Sequence, residues 1–321
     1  MPAALPTPPT RVRAALLAAP AWVVVPHVLP DVDALASAAA LCLVLRATGR
    51  QAGVHSPELP EIHRWVLPAG VLLRGDPDPH WARVAVDTAR LDRLQGSGAV
   101  AVAIDHHEDN PGFGQAHWVA VAPACTCLIA ALAESLGVSV DRPLATALYA
   151  GLVGDTEGFR VNLASDVFAW AERFVCAGAD AEGVAEGFHQ RSPGFWEYLA
   201  RVEAAGFMLP GPVPFRVVPI PRDLADHCQL LPYENALLPS HLAPPRGGVL
   251  AILQEGRDSV RFRLRSRGVD LLPLAHALGG GGHPQAAGVM LRDTSLADAE
   301  ARLRLAWQDP IAQASARQTE A

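Results

Sequence analysis

The chain has 321 residues, enough for two domains with cores of their own. Half of it is apolar and 18% is charged, an ordinary balance for a globular protein. The formal net charge of −7 excludes a general basic surface for long nucleic acids, so any such contact needs a local patch. No apolar run reaches membrane-spanning length. The five cysteines, Cys42, Cys125, Cys127, Cys176 and Cys228, contain no C-x-x-C pair. They read as reduced residues of a cytoplasmic protein rather than as a zinc site.

Residues 2–10 read as a loose tail and 11–19 as a short helix. Arg11, Arg13 and the apolar stretch after them faintly resemble a secretion signal. Against that, residues 22–25 follow directly as a core strand. His27, Asp31 and Asp33 come next, before a small-residue helix from Ala34 to about Arg46, stopped by Gly49. Taken alone, Asp33 reads as a helix N-cap. In an irregular loop both acids can turn inward. Residues 51–76 are poorly patterned, with room for a weak strand and a short helix. Residues 83–86 read as a strand ending at Asp87, and 99–103 as a Val-rich strand running into Asp105, His106 and His107. A short strand at 117–121 precedes helices at 125–136 and 144–152, the second leading to Gly154-Asp155-Thr156. Ser165 and Asp166 cap a helix to about Cys176.

Strands alternating with helices imply a parallel sheet, whose strand ends share one edge. That edge would gather His27, Asp31 and Asp33, then Asp87, then Asp105, His106 and His107, with Asp155 from a helix end. Ligands bind at such edges. The set is carboxylate and imidazole without thiolate, which suits Mn, Mg, Fe or Co. So many acids would need about two dications to offset their repulsion. Two ions sharing a carboxylate make a phosphoester hydrolysis centre.

In the second half, residues 192–206 form an amphipathic helix, and the Pro/Gly cluster 210–214 reads as the domain boundary. Strands follow at 215–218, 248–253 and 259–266, a helix at 271–278 and a last helix at about 296–307. Gly279 to Gly282 precede His283, and the expected arrangement is a bare binding loop followed by a small-residue helix. Arg261, Arg263, Arg265 and Arg267 alternate with Phe262 and Leu264. They would line one strand face, either as a solvated surface or as a phosphate-reading strip.

These residues resemble the DHH phosphoesterases. His27-Val28-Leu29-Pro30-Asp31-Val32-Asp33 resembles the first motif, Asp87 the second and Asp105-His106-His107 the one that names the family. Gly151 to Thr156, with Phe159-Arg160, resembles the fourth. Gly280-Gly281-Gly282-His283 with Ala286-Ala287-Gly288 resembles the signature of the DHH-associated C-terminal domain. The resemblance implies an α/β protein with a parallel-sheet N-terminal domain, a smaller α/β C-terminal domain and a catalytic cleft between them. In this chain it predicts a DHH catalytic domain over 1–190, a helical linker over 191–210 and a substrate-binding domain over 211–321. It implies two Mn2+ ions, with Mg2+ or Co2+ as substitutes, and gives Asp87 the bridge. His27 and Asp31 would hold one ion, and Asp33, His106 and Asp155 the other. It gives Arg265, Ser266, Gly280, Gly281, Gly282 and His283 to the substrate. Arg263 joins that strip, although the family usually has a Ser there, which leaves its role open.

The expected activity is metal-assisted hydroxide attack on very short oligonucleotides (nanoRNA, dinucleotides) and on 3′-phosphoadenosine 5′-phosphate (pAp), with His107 and Asp105 as catalytic residues. The partners are short RNA or DNA and pAp, with no membrane, and a homodimer is compatible with the sequence. Cyclic or linear di-AMP phosphodiesterases and RecJ-like single-strand exonucleases are the alternative enzymes. RecJ chains are longer and add a nucleic-acid-binding fold. A non-catalytic nucleotide sensor is the alternative outside enzymes, and the complete acid set argues against it.

Overall fold

Short Val-rich runs and longer Ala-rich runs alternate through the first 190 residues, and length sorts them into strands and helices. The computed structural model describes residues 7–94, 96, 98–163, 166–231 and 234–308. It divides into two compact units, Met1–Gln190 and Arg191–Ala321.

In the first unit, α1 (Thr10–Ala18) leads into β1 (Ala21–Val25), and the buried Trp22 indole donates to the Leu16 carbonyl at 3.0 Å, tying the two together. Then come α2 (Val32–Ala47), β2 (Gln51–Val54), a 3-10 turn, β3 (Ala82–Val86), β4 (Val102–Asp105) and β5 (Ala116–Val119). Helices α3 (Cys125–Ser135), α4 (Arg142–Asp155), α5 (Val167–Cys176) and α6 (Ala181–His189) complete it. The five strands pair in the order β2-β1-β3-β4-β5, every pair parallel. α2 is apolar nearly all round and buried along almost its whole length, as such a helix must be. It packs on α4 at close range because Gly151 and Gly154 face it. A Cβ at Gly151 would lie 2.4 Å from Asp33 Oδ1, and one at Gly154 3.0 Å from Val32 Cβ.

The second unit begins with α7 (Pro193–Ala205), capped by Ser192, whose hydroxyl accepts from Phe195 N. It continues through β6 (Phe207–Leu209), β7 (Phe215–Ile220), the short α8 (Leu224–His227) and α9 (Leu238–His241), β8 (Val249–Glu255) and β9 (Ser259–Ser266). α10 (Leu272–Ala277), β10 (Gly281–His283), β11 (Ala286–Arg292) and α11 (Leu296–Trp307) follow. The sheet order is β10-β11-β9-β8-β7-β6, antiparallel except for β7 with β8. α10 and α11 cover one face around Phe262 and Leu264, and α7 packs on the other with Ile252 and Leu250.

The structure changes several sequence-based expectations. The Pro/Gly cluster 210–214 is not the boundary: it turns the chain between β6 and its antiparallel neighbour β7. α7 packs on β7, so the expected linker belongs to the second unit. The N-cap of α2 is Asp31, whose Oδ1 accepts from Ala34 N at 3.0 Å, and Asp33 is buried inside the first turn. The strand at 99–103 starts three residues later and has Asp105 as its last residue, because its parallel register with β3 begins at Val84 opposite Val102. The glycine segment is not a loop followed by a helix. Gly281–His283 and Ala286–Arg292 are paired antiparallel strands, with β11 bound along its length to β9. The register of β9 fixes this outcome, since small residues carry no strong local preference of their own. Ser165 lies outside the described residues, and the Asp166 side chain makes no capping bond. α6 and β6 have no counterpart in the sequence reading.

Candidate metal centre and substrate face

The carboxyl ends of β1, β3 and β4 meet the N-terminus of α2 and the C-terminus of α4. The loop after β1 brings His27. Its Nδ1 donates to the Val28 carbonyl at 2.8 Å, and Val28 N donates to Arg93 O. His106, just past β4, donates Nδ1–H to the Ala122 carbonyl at 3.1 Å. Each neutral ring is thereby left with Nε2 as an acceptor. Those nitrogens point at carboxylates. His27 Nε2 is 3.9 Å from Asp31 Oδ2 and 3.9 Å from Asp87 Oδ2. His106 Nε2 is 3.3 Å from Asp87 Oδ1, 3.6 Å from Asp155 Oδ2 and 3.9 Å from Asp33 Oδ2.

Asp87 stands between the two histidines, one oxygen toward each. It takes a left-handed backbone conformation (φ 51°) at the end of β3, which Asp tolerates better than most residues. It is 2% exposed, and its Oδ1 is buried without a well-aligned hydrogen bond. Asp33 is held by the first turn of α3: Cys125 N donates to Oδ2 at 2.7 Å and Thr126 N to Oδ1 at 3.3 Å. Three groups of ligand atoms lie within 4.8 Å of one another: His27, Asp31 and Asp87; Asp33, His106 and Asp155; and Asp87, His106 and His107.

The electrostatics record the crowding. Burial first, then the charge of Asp33, pushes Asp87 up to about 8 and Asp155 up to about 7. Burial also raises Asp33. Burial would lower His106, but Asp87, Asp33 and Asp155 outweigh it and hold the ring proton up to about 10. Acceptors facing acceptors in a buried site need a cation between them, either a proton or a metal ion. The donor set of imidazole nitrogen and carboxylate oxygen fits divalent Mn, Mg or Co.

Beside this cluster, His107 Nδ1 donates to Asp105 Oδ1 at 2.8 Å, and Asn110 Nδ2 donates to Asp105 Oδ2 at 2.6 Å and to Thr88 O at 3.1 Å. Burial would raise the Asp105 carboxyl, but the hydrogen bonds from His107 and Asn110 keep it below its ordinary range. The same bond raises His107, whose side chain is 45% exposed. Asn110 and the Cys125 and Thr126 amides escaped the sequence reading. A polar residue just before Pro111-Gly112 looks like any turn residue, and a backbone amide has no sequence signature.

The substrate residues expected from the sequence separate in the second unit. Arg265 and His283 stand in one row across the sheet, each opposite Ala286. Arg263 is opposite Gly288, which is opposite Gly281. Ser266 is not on that face: it is buried, and its hydroxyl donates to Val269 O at 2.5 Å, because residues next to each other on a strand point to opposite sides. Arg267 lies beyond the end of β9. Gly280 and Gly282 are steric necessities, since Cβ atoms there would lie 2.2 Å from Gly288 O and 2.6 Å from Ala286 O.

A carboxylate–imidazole cluster on the carboxyl edge of a parallel sheet, shared through one central Asp, is the site of a phosphoesterase-type hydrolase. Residues 21–152, which lie within the first unit, match the DHH family, N-terminal domain. A bifunctional oligoribonuclease and PAP phosphatase NrnA of Thermus thermophilus is 29% identical over 306 residues, covering 90% of this chain and 89% of the relative. An exopolyphosphatase-related protein from Bacteroides fragilis superimposes with a TM-score of 0.74 at 16% identity, covering 96% of this chain and 98% of that one. An exonuclease RecJ bound to manganese gives a TM-score of 0.50 at 18% identity, with 95% and 96% covered.

Proposed function

We propose that this chain is a metal-dependent phosphodiesterase and phosphatase that hydrolyses very short oligonucleotides and pAp, with two Mn2+ ions as its resident metals. The observation that carries this reading is the pair of Nε2 acceptors, on His27 and His106, aimed at opposite oxygens of one buried carboxylate, Asp87. His27, Asp31 and Asp87 would hold one ion, and Asp33, His106, Asp155 and Asp87 the other. Such ions supply Lewis acidity, lowering the pKa of a water and neutralising charge on the phosphate. The short-substrate half of the proposal draws on the oligoribonuclease and PAP phosphatase relative, which spans nearly the whole chain.

The protein's own groups do the rest. The backbone carbonyls of Val28 and Ala122 fix the two histidine tautomers. The α3 amides hold Asp33 in place and oppose part of the rise that burial causes. Asp105 keeps the His107 proton on Nδ1, so Nε2 is free to contact the scissile phosphate or to exchange a proton with water. Cys125 is not the nucleophile: it is buried, and burial drives its thiol well above the ordinary range. In the second unit, Arg265, His283 and the glycine-bearing strands anchor the substrate, so that remote binding energy places the scissile bond. The five free thiols agree with a reducing cytoplasm.

The test is purified protein with Mn2+ against pAp, a dinucleotide, a longer single strand and cyclic di-AMP, compared by kcat/KM. The dinucleotide and pAp should lead, and activity should fall as the strand lengthens. Equal efficiency on a long strand would make a RecJ-like exonuclease the better assignment. Cyclic di-AMP as the best substrate would favour that phosphodiesterase, and turnover of none would leave the sensor.

A further inference from the structure

Two rows of residues cross the second unit's sheet side by side. Ile252, Arg263, Gly288 and Gly281 stand opposite one another on β8, β9, β11 and β10, and Leu250, Arg265, Ala286 and His283 form the next row. Directly paired residues share a face, so Arg263, Arg265 and His283 project from the same side. That side also carries Tyr198 of α7, clustered with Ile252 and Leu250.

Two features of the first row are not explained by folding. Nη1 of Arg263 is buried without a hydrogen-bond partner. Among the described residues no ion pair involves Arg261, Arg263 or Arg265. Burial, and then its neighbour Arg261, lowers the proton affinity of Arg263, with Arg265 adding to it. An uncompensated cation of this kind costs stability unless an anion completes it. The second feature is the bare backbone next to it. A Cβ at Gly288 would meet only Phe262 O, at 3.8 Å, and one at Gly281 would meet nothing within 4 Å. Neither glycine has a positive φ. The fold would accept alanine at both positions, unlike Gly280 and Gly282, so the missing side chains leave an open floor beside a guanidinium that lacks an anion.

We propose that Arg263, over the floor made by Gly288 and Gly281, is a specificity-determining residue that binds a terminal phosphate monoester of the substrate. A monoester carries close to two negative charges near neutral pH and three free oxygens, while a bridging diester carries one charge. Two guanidiniums on alternate strand positions, about 6.8 Å apart at Cα, are long enough to converge on one such group. Charge-assisted, fork-like contacts of this kind are the strong ones. A 5′-phosphorylated dinucleotide should therefore be preferred over the same dinucleotide without its phosphate, and a nucleoside bisphosphate over a monophosphate. The catalytic consequence rests on the phosphoesterase reading above, but the binding does not.

The experiment has two arms. In EDTA, calorimetry compares AMP with adenosine. In Mn2+, kcat/KM compares 5′-phosphorylated diadenylate with unphosphorylated diadenylate. Wild type should favour the phosphorylated member of each pair by about 10- to 100-fold, the range expected for hydrogen bonds to a charged group. Arg263→Ser and Gly288→Ala should each collapse that ratio, and Arg263→Lys should recover part of it. Both Arg263→Ser and Gly288→Ala should melt no lower than wild type in EDTA. The proposal is overturned if wild type shows no preference for AMP, if the ratio survives Arg263→Ser, or if AMP and adenosine weaken alike. Preferential AMP binding without hydrolysis of either dinucleotide would support this subsite and sink the phosphoesterase reading, so the two failures are distinguishable.

Discussion

Stripping divalent ions should make this protein less stable as pH rises from 6 to 8, and restoring Mn2+ should remove that dependence. The sign follows from the cluster. Asp87 and Asp155 are pushed up to about 8 and about 7, first by burial and then by the charge of Asp33. A carboxyl raised in the folded state contributes stability that is fully present below its unfolded value near 4 and is lost as pH rises through the folded value. At roughly 1.4 kcal/mol per unit, Asp87 accounts for about 2 kcal/mol between pH 6 and 8 and Asp155 for about 1, on the order of 3 kcal/mol together. His106, held up to about 10, acts in the same direction. Its proton is bound only in the folded chain above about 6.5, so that contribution also fades as pH approaches 10. Urea unfolding followed by fluorescence measures this, because Trp22, Trp118 and Trp170 are buried in the first unit's core. Asp87→Asn in EDTA should flatten the slope, because it removes its own share and the hydrogen bond that does most to raise His106. A metal-free protein equally stable at pH 6 and 8, or an Asp87→Asn slope matching wild type, would refute the reasoning.

Four further outcomes are expected. Asp87→Ala should abolish hydrolysis while the metal-free protein melts no lower than wild type, and near-normal turnover would sink the shared-carboxylate reading. Asp105→Asn should lower kcat by about 100-fold, at the low end of general acid–base contributions. It should also move the His107 limb of the pH–rate profile to lower pH, since the Asp105 hydrogen bond is the main cause of the raised His107; an unmoved limb would detach His107 from the reaction. Hydrolysis in oxygen-labelled water should place the label on the phosphate product within one turnover, whereas a trapped phosphorylated side chain would contradict direct attack by water. His283→Ala and Arg265→Ala should weaken pAp and dinucleotide turnover far more than that of p-nitrophenyl phosphate, read from parallel kcat/KM values.

The first unit was legible in the sequence because its determinants are local and strong. Short Val runs ending in acid or histidine can hardly be anything but buried strands with functional ends, and β1, β3 and β4 are of this kind. Asp31 and Asp33 were harder, since cap and helix positions two residues apart offer the same residue types, and only tertiary contact with the α3 amides decides which acid is buried. The glycine signature was misread for a physical reason. Gly and Ala have weak strand preference, and the pairing with β9 that makes β11 a strand is a long-range contact. The alternation of Arg with Phe262 and Leu264 was read with the correct faces. What it could not reveal was the register that sets Arg263 against two bare glycines. Ser266 shows the reverse error, a motif residue assigned to the substrate that the strand's alternation turns into the core.

The contact between α2 and α4 has a consequence for synthesis. Asp33 is fixed by amides at 125 and 126 and closed over by Gly151, and Asp155 is the last carboxylate to join. From His27 to Asp155 a ribosome must add about 128 residues, roughly 6 to 26 s at 5–20 residues per second. During that interval the growing chain carries its early acids and histidines without the geometry that makes them a site. On the proposed two-ion reading, the group of Asp33, His106 and Asp155 would be complete only once α4 has been made.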